Sequence, residues 1–215
     1  MLTVYGRATS SNVQLVMWAI GELGLPFERL DYGHNFGGLD TEAFAAMNPH
    51  RLVPVLKDGE VVLWESGAIL RYLAARYGDG GTFWPREPTA RARVDMWAEW
   101  AKGTLAAAFT VPIFWSRVRT SAKDRDEAAL TAAIARFETL LDVFEEQVAR
   151  HDYLAGPDFT AADIAAGHVF YRWFDIEIPR RPRPPFEAYM DRLRARPAYR
   201  THVMIGYDIL RAPDA

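Results

Sequence analysis

Every strand signal in this 215-residue chain falls before residue 79, and only helical periodicity follows it. That division excludes an all-β sandwich or barrel and requires a small mixed-sheet unit joined to a helical one. Residues 2–5 read as a short strand. From Asn12 the apolar positions Val13, Val16, Met17, Ile20 and Leu23 recur at helical spacing, and Gly24 with Pro26 stops the helix. Residues 27–32 read as a second strand and 33–38 as a glycine-containing loop. A short helix then opens at Asp40 or Thr41 and ends near Asn48. Residues 53–57 and 61–64 form a hairpin about Asp58 and Gly59, since Asp-Gly supplies the positive φ that tight hairpin turns need. A helix from Ser66 ends at Gly78, giving the order βαβαββα. The first two strands, joined by a helix, should be parallel, and the hairpin adds an antiparallel pair.

Residues 79–88 carry the glycines and prolines expected of a linker, so the predicted units are 1–78 and 89–215. Helical patterns cover about 89–118, 124–150, 160–174 and 185–195. The hydrophobic half of the composition suffices to bury a core. A net charge of -3 gives no bulk pull toward nucleic acid or an anionic membrane. Arg180, Arg181 and Arg183 alternate with prolines and read as a solvated connector. No apolar run approaches the roughly 18–20 residues that span a bilayer, so a cytoplasmic protein is expected.

The chain contains no cysteine, which removes disulfides, thiolate metal sites and a cysteine nucleophile. His34, His50, His151, His168 and His202 lack paired ligand spacing, so no metal is expected. There is no nucleophile elbow, P-loop, Rossmann fingerprint or zinc-protease motif. His151 reads as a surface residue and His168 as a core one. Trp97, Trp100, Thr104, Phe109, Phe114 and Trp115 form an aromatic-rich helical stretch whose default role is packing.

Three segments of the first unit together carry a resemblance. Thr9, Ser10, Ser11, Asn12 and Val13 precede the first helix; Asn48 through Pro54 leads into the third strand; Trp64, Glu65, Ser66, Gly67, Ala68 and Ile69 open the third helix. Phe159, Thr160, Ala161, Ala162, Asp163 and Ile164 add an N-capping box and a hydrophobic staple in the second unit. In order and spacing the chain resembles the glutathione S-transferase family along nearly its whole length. The two adjacent serines point toward serine-type branches, zeta-like or related bacterial ones.

The resemblance implies an α/β plus all-α fold: a thioredoxin-like βαβαββα domain that binds glutathione, then an all-helical domain contributing the electrophile pocket. It implies an enzyme that stabilises the glutathione thiolate and transfers it to a small electrophile. A zeta-like isomerase, a glutathione-dependent disulfide reductase and a non-catalytic binding protein on the same fold are the alternatives. Ser10 would contact the thiolate. Ser11 with Gln14 fits a capping box, although Ser11 and Asn12 also fall among the glutathione-contacting positions. Pro54 would follow a cis bond, so that Val53 binds the cysteinyl unit through its backbone. Glu65 and Ser66 suit the α-amino and carboxylate groups of the γ-glutamyl end, a carboxylate being favoured at a helix N-terminus. His50 and Arg51 are the candidates for the glycyl carboxylate, where family members often carry a basic or polar residue in place of Leu52. Phe36, Trp100 and Thr104 are the candidate pocket residues. Glutathione is the expected cosubstrate, with no metal, and a homodimer the expected assembly.

Overall fold

The computed structural model describes residues 1–213. Its first half is a four-stranded sheet in the order β2-β1-β3-β4, from β1 (Leu2–Tyr5), β2 (Phe27–Leu30), β3 (Val55–Asp58) and β4 (Val61–Trp64). β1 pairs in parallel with β2 and antiparallel with β3, and Val55 faces Trp64 across the hairpin. The hairpin loop is Gly59 and Glu60. Gly59 supplies the expected positive φ of 58°, but Asp58 stays in the ladder, one residue from the predicted turn.

Helices α1 (Ser11–Glu22), α2 (Glu42–Met47) and α3 (Ser66–Tyr77) complete the predicted alternation. α1 is buried without a break from Val13 to Ile20. It packs on α3 of the first half and on α7 and α9 of the second. A helix enclosed on all sides cannot show a clean amphipathic stripe. α2 is capped by Thr41, whose Oγ1 accepts from the Phe44 amide at 3.2 Å.

Beyond residues 78–87 the chain is helical. α4 (Pro88–Trp100) runs through a π-helical stretch (Ala101–Ala106), α5 (Ala107–Phe109) and a second π-helical stretch (Thr110–Arg119). The single predicted helix thus contains wide turns. Gly103 and Pro112 lie within them, and Pro112 has no amide to donate to an ordinary turn. α6 (Glu127–Val148), α7 (Ala161–Asp175), α8 (Pro184–Ala195) and α9 (Pro197–His202) follow. The sequence reading missed α9, although Pro197 stands at its first turn.

Two close approaches seat α1 in the helical half. A Cβ placed on Gly167 of α7 would lie 2.9 Å from the Trp18 ring, and one on Gly21 would lie 2.9 Å from Ala198 of α9. The capping box at α7 forms as expected: Thr160 Oγ1 accepts from the Ala162 amide, and Asp163 Oδ2 from the Thr160 amide at 2.8 Å.

The arginine run departs from the expectation of a solvated connector. Arg183 is only 4% exposed and binds Glu138, Asp142 and Glu145, while Arg180 holds the Phe174 and Ile176 carbonyls. Their partners lie about forty residues away or on backbone, out of reach of a local reading. His168 is buried and His151 exposed, as expected.

Candidate active site

The β1–α1 loop delivers Ser10 to the N-cap of α1, with φ -82° and ψ 123°. The helix therefore begins one residue before Ser11 could cap it. Ser11 is the first helical residue, and Gln14 does not reach back: both its side-chain polar atoms are buried without partners. The expected capping box at Ser11 is absent. Ser10 occupies the cap, half-buried, but makes no side-chain capping bond, so its hydroxyl is not used by the helix.

Asn12, two residues on, joins three elements. Its Oδ1 accepts from Ser66 Oγ at 3.2 Å and from Lys102 Nζ at 2.7 Å. Two donors on that oxygen fix the amide orientation, which sequence and heavy-atom positions alone leave open. The Asn12 NH2 is thereby the free donor.

Ser66 opens α3 and is 3% exposed. Glu65 before it holds φ 68°, a left-handed conformation uncommon for a residue with a side chain, and its carboxylate makes no capping bond. Strain of about 1–3 kcal/mol at such a position is typical of ligand clamps. Glu65 is exposed at the α3 N-cap, next to the helix amides.

Lys102 enters from the first π-helical stretch, across the domain boundary. Burial pushes its ammonium down to about 8, and Glu65 pulls in the opposite direction. The buried His168 imidazole is held well below its usual value by desolvation and by Lys102, so it stays neutral. Sequence reasoning missed Lys102. Its signal was available: it is the only basic residue between Arg93 and Arg117, in an apolar stretch.

The Val53–Pro54 peptide is cis, as the resemblance implied, and Val53 is half-buried against Gly6. His50 is exposed with its ring 4.9 Å from Trp64. The Arg51 guanidinium donates to the Leu39 and Thr41 carbonyls and so ties the α2 approach to β3. Of the two basic candidates, His50 has the less committed side chain.

The candidate pocket residues are dispersed. Phe36 is 48% exposed on a 3-10 turn (His34–Phe36) in the glycine-containing loop. Trp100 is half-buried with its ring against Trp97. Thr104 lines a surface hollow with Ala132, Ala133 and Arg136 of α6. No group of acidic or histidine side chains among the described residues could hold a metal ion, and none of their helices is long and apolar enough to cross a membrane.

A thioredoxin-like sheet unit with a free N-cap serine, a cis-proline before β3 and an acid-serine pair at α3, followed by a helical unit, defines a class of glutathione-handling protein. Residues 4–82 match the family model for the glutathione S-transferase N-terminal domain, and residues 127–192 that for its C-terminal domain. Glutathione S-transferase GstB of Escherichia coli is 38% identical, over 95% of this chain and 99% of its own. Glutathione S-transferase 3 of Zea mays is 33% identical, over 94% and 93%. The crystal structure of the theta class enzyme from Xanthomonas axonopodis pv. citri, with glutathione bound, superposes with a TM-score of 0.90 at 41% identity, over 95% and 98%. That relative is described as theta class and is bacterial; the paired serines suggest a serine-type branch, zeta-like or related bacterial. The chain belongs to the glutathione S-transferase family. It is an enzyme of that family, with glutathione as its cosubstrate.

Proposed function

We propose that Ser10 stabilises the glutathione thiolate and that the sulfur is transferred to a small electrophile held between the 33–38 loop and the helical half. The observation that carries this is the Ser10 hydroxyl, placed at the N-cap of α1 without a capping bond. A free thiol has a pKa of about 8.5, so little thiolate exists near neutrality. Lowering it by two units needs about 2.7 kcal/mol of preference for the charged form. A hydroxyl donating to the anion supplies roughly 1.5–3 kcal/mol, and the α1 N-terminus about 0.3–1 more.

Val53 would hold the cysteinyl unit through its backbone, Glu65 the α-amino group, and Ser66 with Lys102 the γ-glutamyl carboxylate. His50 would meet the glycyl carboxylate. The Asn12 NH2, free to donate, is a second contact for sulfur. This reading divides the chain into a glutathione domain (1–78), a linker (79–88) and a pocket-forming helical domain (89–215). It also includes a cytoplasmic homodimer. Val61 and Val62 on β4 and Met96 on α4, at 40%, 37% and 58% exposure, offer apolar surface for a second copy.

The test is the thiolate absorbance of the glutathione complex against pH. Ser10→Ala should raise the bound thiol's pKa by about one unit or more and cut turnover about tenfold at pH 6.5. Ser11→Ala should leave the titration in place. An unmoved titration in Ser10→Ala, with a shift in Asn12→Ala, would transfer the role to Asn12.

A further inference from the structure

Arg172 reaches the backbone of Thr9, Arg7 lies close enough to act on Arg172 and Arg119 close enough to act on Arg7, with no acidic partner among the described residues. Arg172 of α7 is 3% exposed; its Nη2 donates to the Thr9 carbonyl at 2.6 Å, and its Nε is buried without a partner. Phe114 and Tyr207 flank it, with ring centroids at 4.6 and 5.4 Å. Arg7 leaves the end of β1 toward the 33–38 loop, where its Nη1 would lie 3.4 Å from a Cβ on Gly33. Its Nε is also buried and unpartnered, as is Thr9 Oγ1. Arg119, at the end of the second π-helical stretch, stacks on Trp115 at 4.3 Å.

Three other wholly or partly buried arginines meet carboxylates, whereas Arg180 and Arg51 hold only carbonyls. Arg183 pairs with Glu138, Arg196 with Glu22 and Arg125 with Glu127. Among the described residues, Arg7, Arg119 and Arg172 pair with no carboxylate. They also act on one another: burial and then Arg119 lower Arg7, while burial brings Arg172 down to about 10, opposed by Tyr207 and assisted by Arg7. Desolvated cations that repel each other are unfavourable unless an anion joins them. Aromatic faces and a backbone carbonyl offset part of that cost but add no countercharge.

From this arrangement we infer that the electrophile carries an anionic group, a carboxylate or a group of like charge, seated among Arg7, Arg119 and Arg172 and free to accept from Thr9 Oγ1. The inference rests on the proposed placement of the electrophile beside Ser10. Planar guanidinium forks match a carboxylate in two-point geometry, which a lysine cluster would not. Anchoring the charged end there would turn the substrate's reactive carbon toward the thiolate, a positioning contribution distinct from activating sulfur.

A matched pair of aryl chlorides tests it: 4-chloro-3-nitrobenzoate and its neutral isostere 4-chloro-3-nitrobenzamide. In both, the thiolate sulfur bonds to the ring carbon and chloride leaves with its bonding electron pair. Each kcat/KM is divided by the rate of the uncatalysed reaction with glutathione. The benzoate should be preferred at least tenfold, and raised salt should reduce that preference. Arg119→Met and Arg7→Met should each lower it severalfold, and Arg172→Lys should retain more of it than Arg172→Met. Glu60→Gln, exposed in the β3–β4 hairpin loop, should leave it unchanged. Equal normalised rates, or a preference that survives all the arginine changes, would overturn the inference. The thiolate titration is read on the same samples: a normal titration with no charge preference refutes the anion site alone, whereas a titration indifferent to Ser10→Ala refutes the reading beneath it.

Discussion

At Lys102 a single side chain crosses from one half of the molecule to the other, and its protonation is tied to that crossing. Its ammonium is brought down to about 8 by burial, against an unfolded value near 10.4. Between those values the unfolded chain binds more protons than the folded one, so stability rises with pH across the window. Below about pH 8 the full cost of burying the cation is present. Lys102→Met removes this dependence. Denaturant midpoints of wild type and variant should therefore converge or cross in favour of wild type from pH 7 to 9.5. Saturating S-methylglutathione, whose carboxylate offsets the charge, should flatten the wild-type slope. Parallel profiles would mean that Lys102 is solvated in the folded protein. Ser10, Asn12, Glu65 and Ser66 could each be named from the sequence, and the structure joins Asn12 to Ser66. The cap residue was not legible, because Ser10 and Ser11 are equally able to cap and only the backbone torsion at Ser10 decides. Arg7 and Arg172 were missed, although Arg172 is the only lysine or arginine in α7.

The α7 start shows how one carboxylate organises an element. Asp163 is wholly buried and accepts from the Leu154 and Thr160 amides, the Thr160 hydroxyl and the Tyr189 hydroxyl. Burial pushes its carboxyl up to about 6, and these donors oppose that shift. Asp163→Ala leaves all four donors in a dry site and should cost about 3–5 kcal/mol, read from denaturant unfolding. A loss below about 1 kcal/mol would mean that water replaces the carboxylate there. This cap was legible because its residues are consecutive. The π-helical stretches were not: the residues from Ala101 to Arg119 keep helical composition, and widening depends on which carbonyls the turns find. Strand positions were read closely, with errors of one or two residues at both ends of β3 and at the end of β2, because alternation marks a strand better than it marks its first and last hydrogen bonds.

Across the whole molecule, α1 is the shared wall. It packs on α3 of the first half and on α7 and α9 of the second, with Trp18 fully buried against Tyr199 at 4.7 Å between centroids. Gly167→Ala should force the Trp18 ring aside and cost about 1–3 kcal/mol. Tryptophan fluorescence and far-UV circular dichroism should still report one coincident transition, because neither half can lose α1 alone. Two separated transitions would show that the halves fold independently. The division into units at residues 79–88 was plain in the sequence, but the wall was not, since its contacts join residues some 150 positions apart. This has an evolutionary corollary. Although breakers mark a seam where recombination between relatives could fall, a crossover there would graft one lineage's Trp18 and Gly21 onto another's Gly167 and Ala198. Viable chimaeras must inherit both sides of that joint together, so new electrophile preferences in such a lineage would arise by point substitution around the arginines more readily than by exchange of whole helical halves.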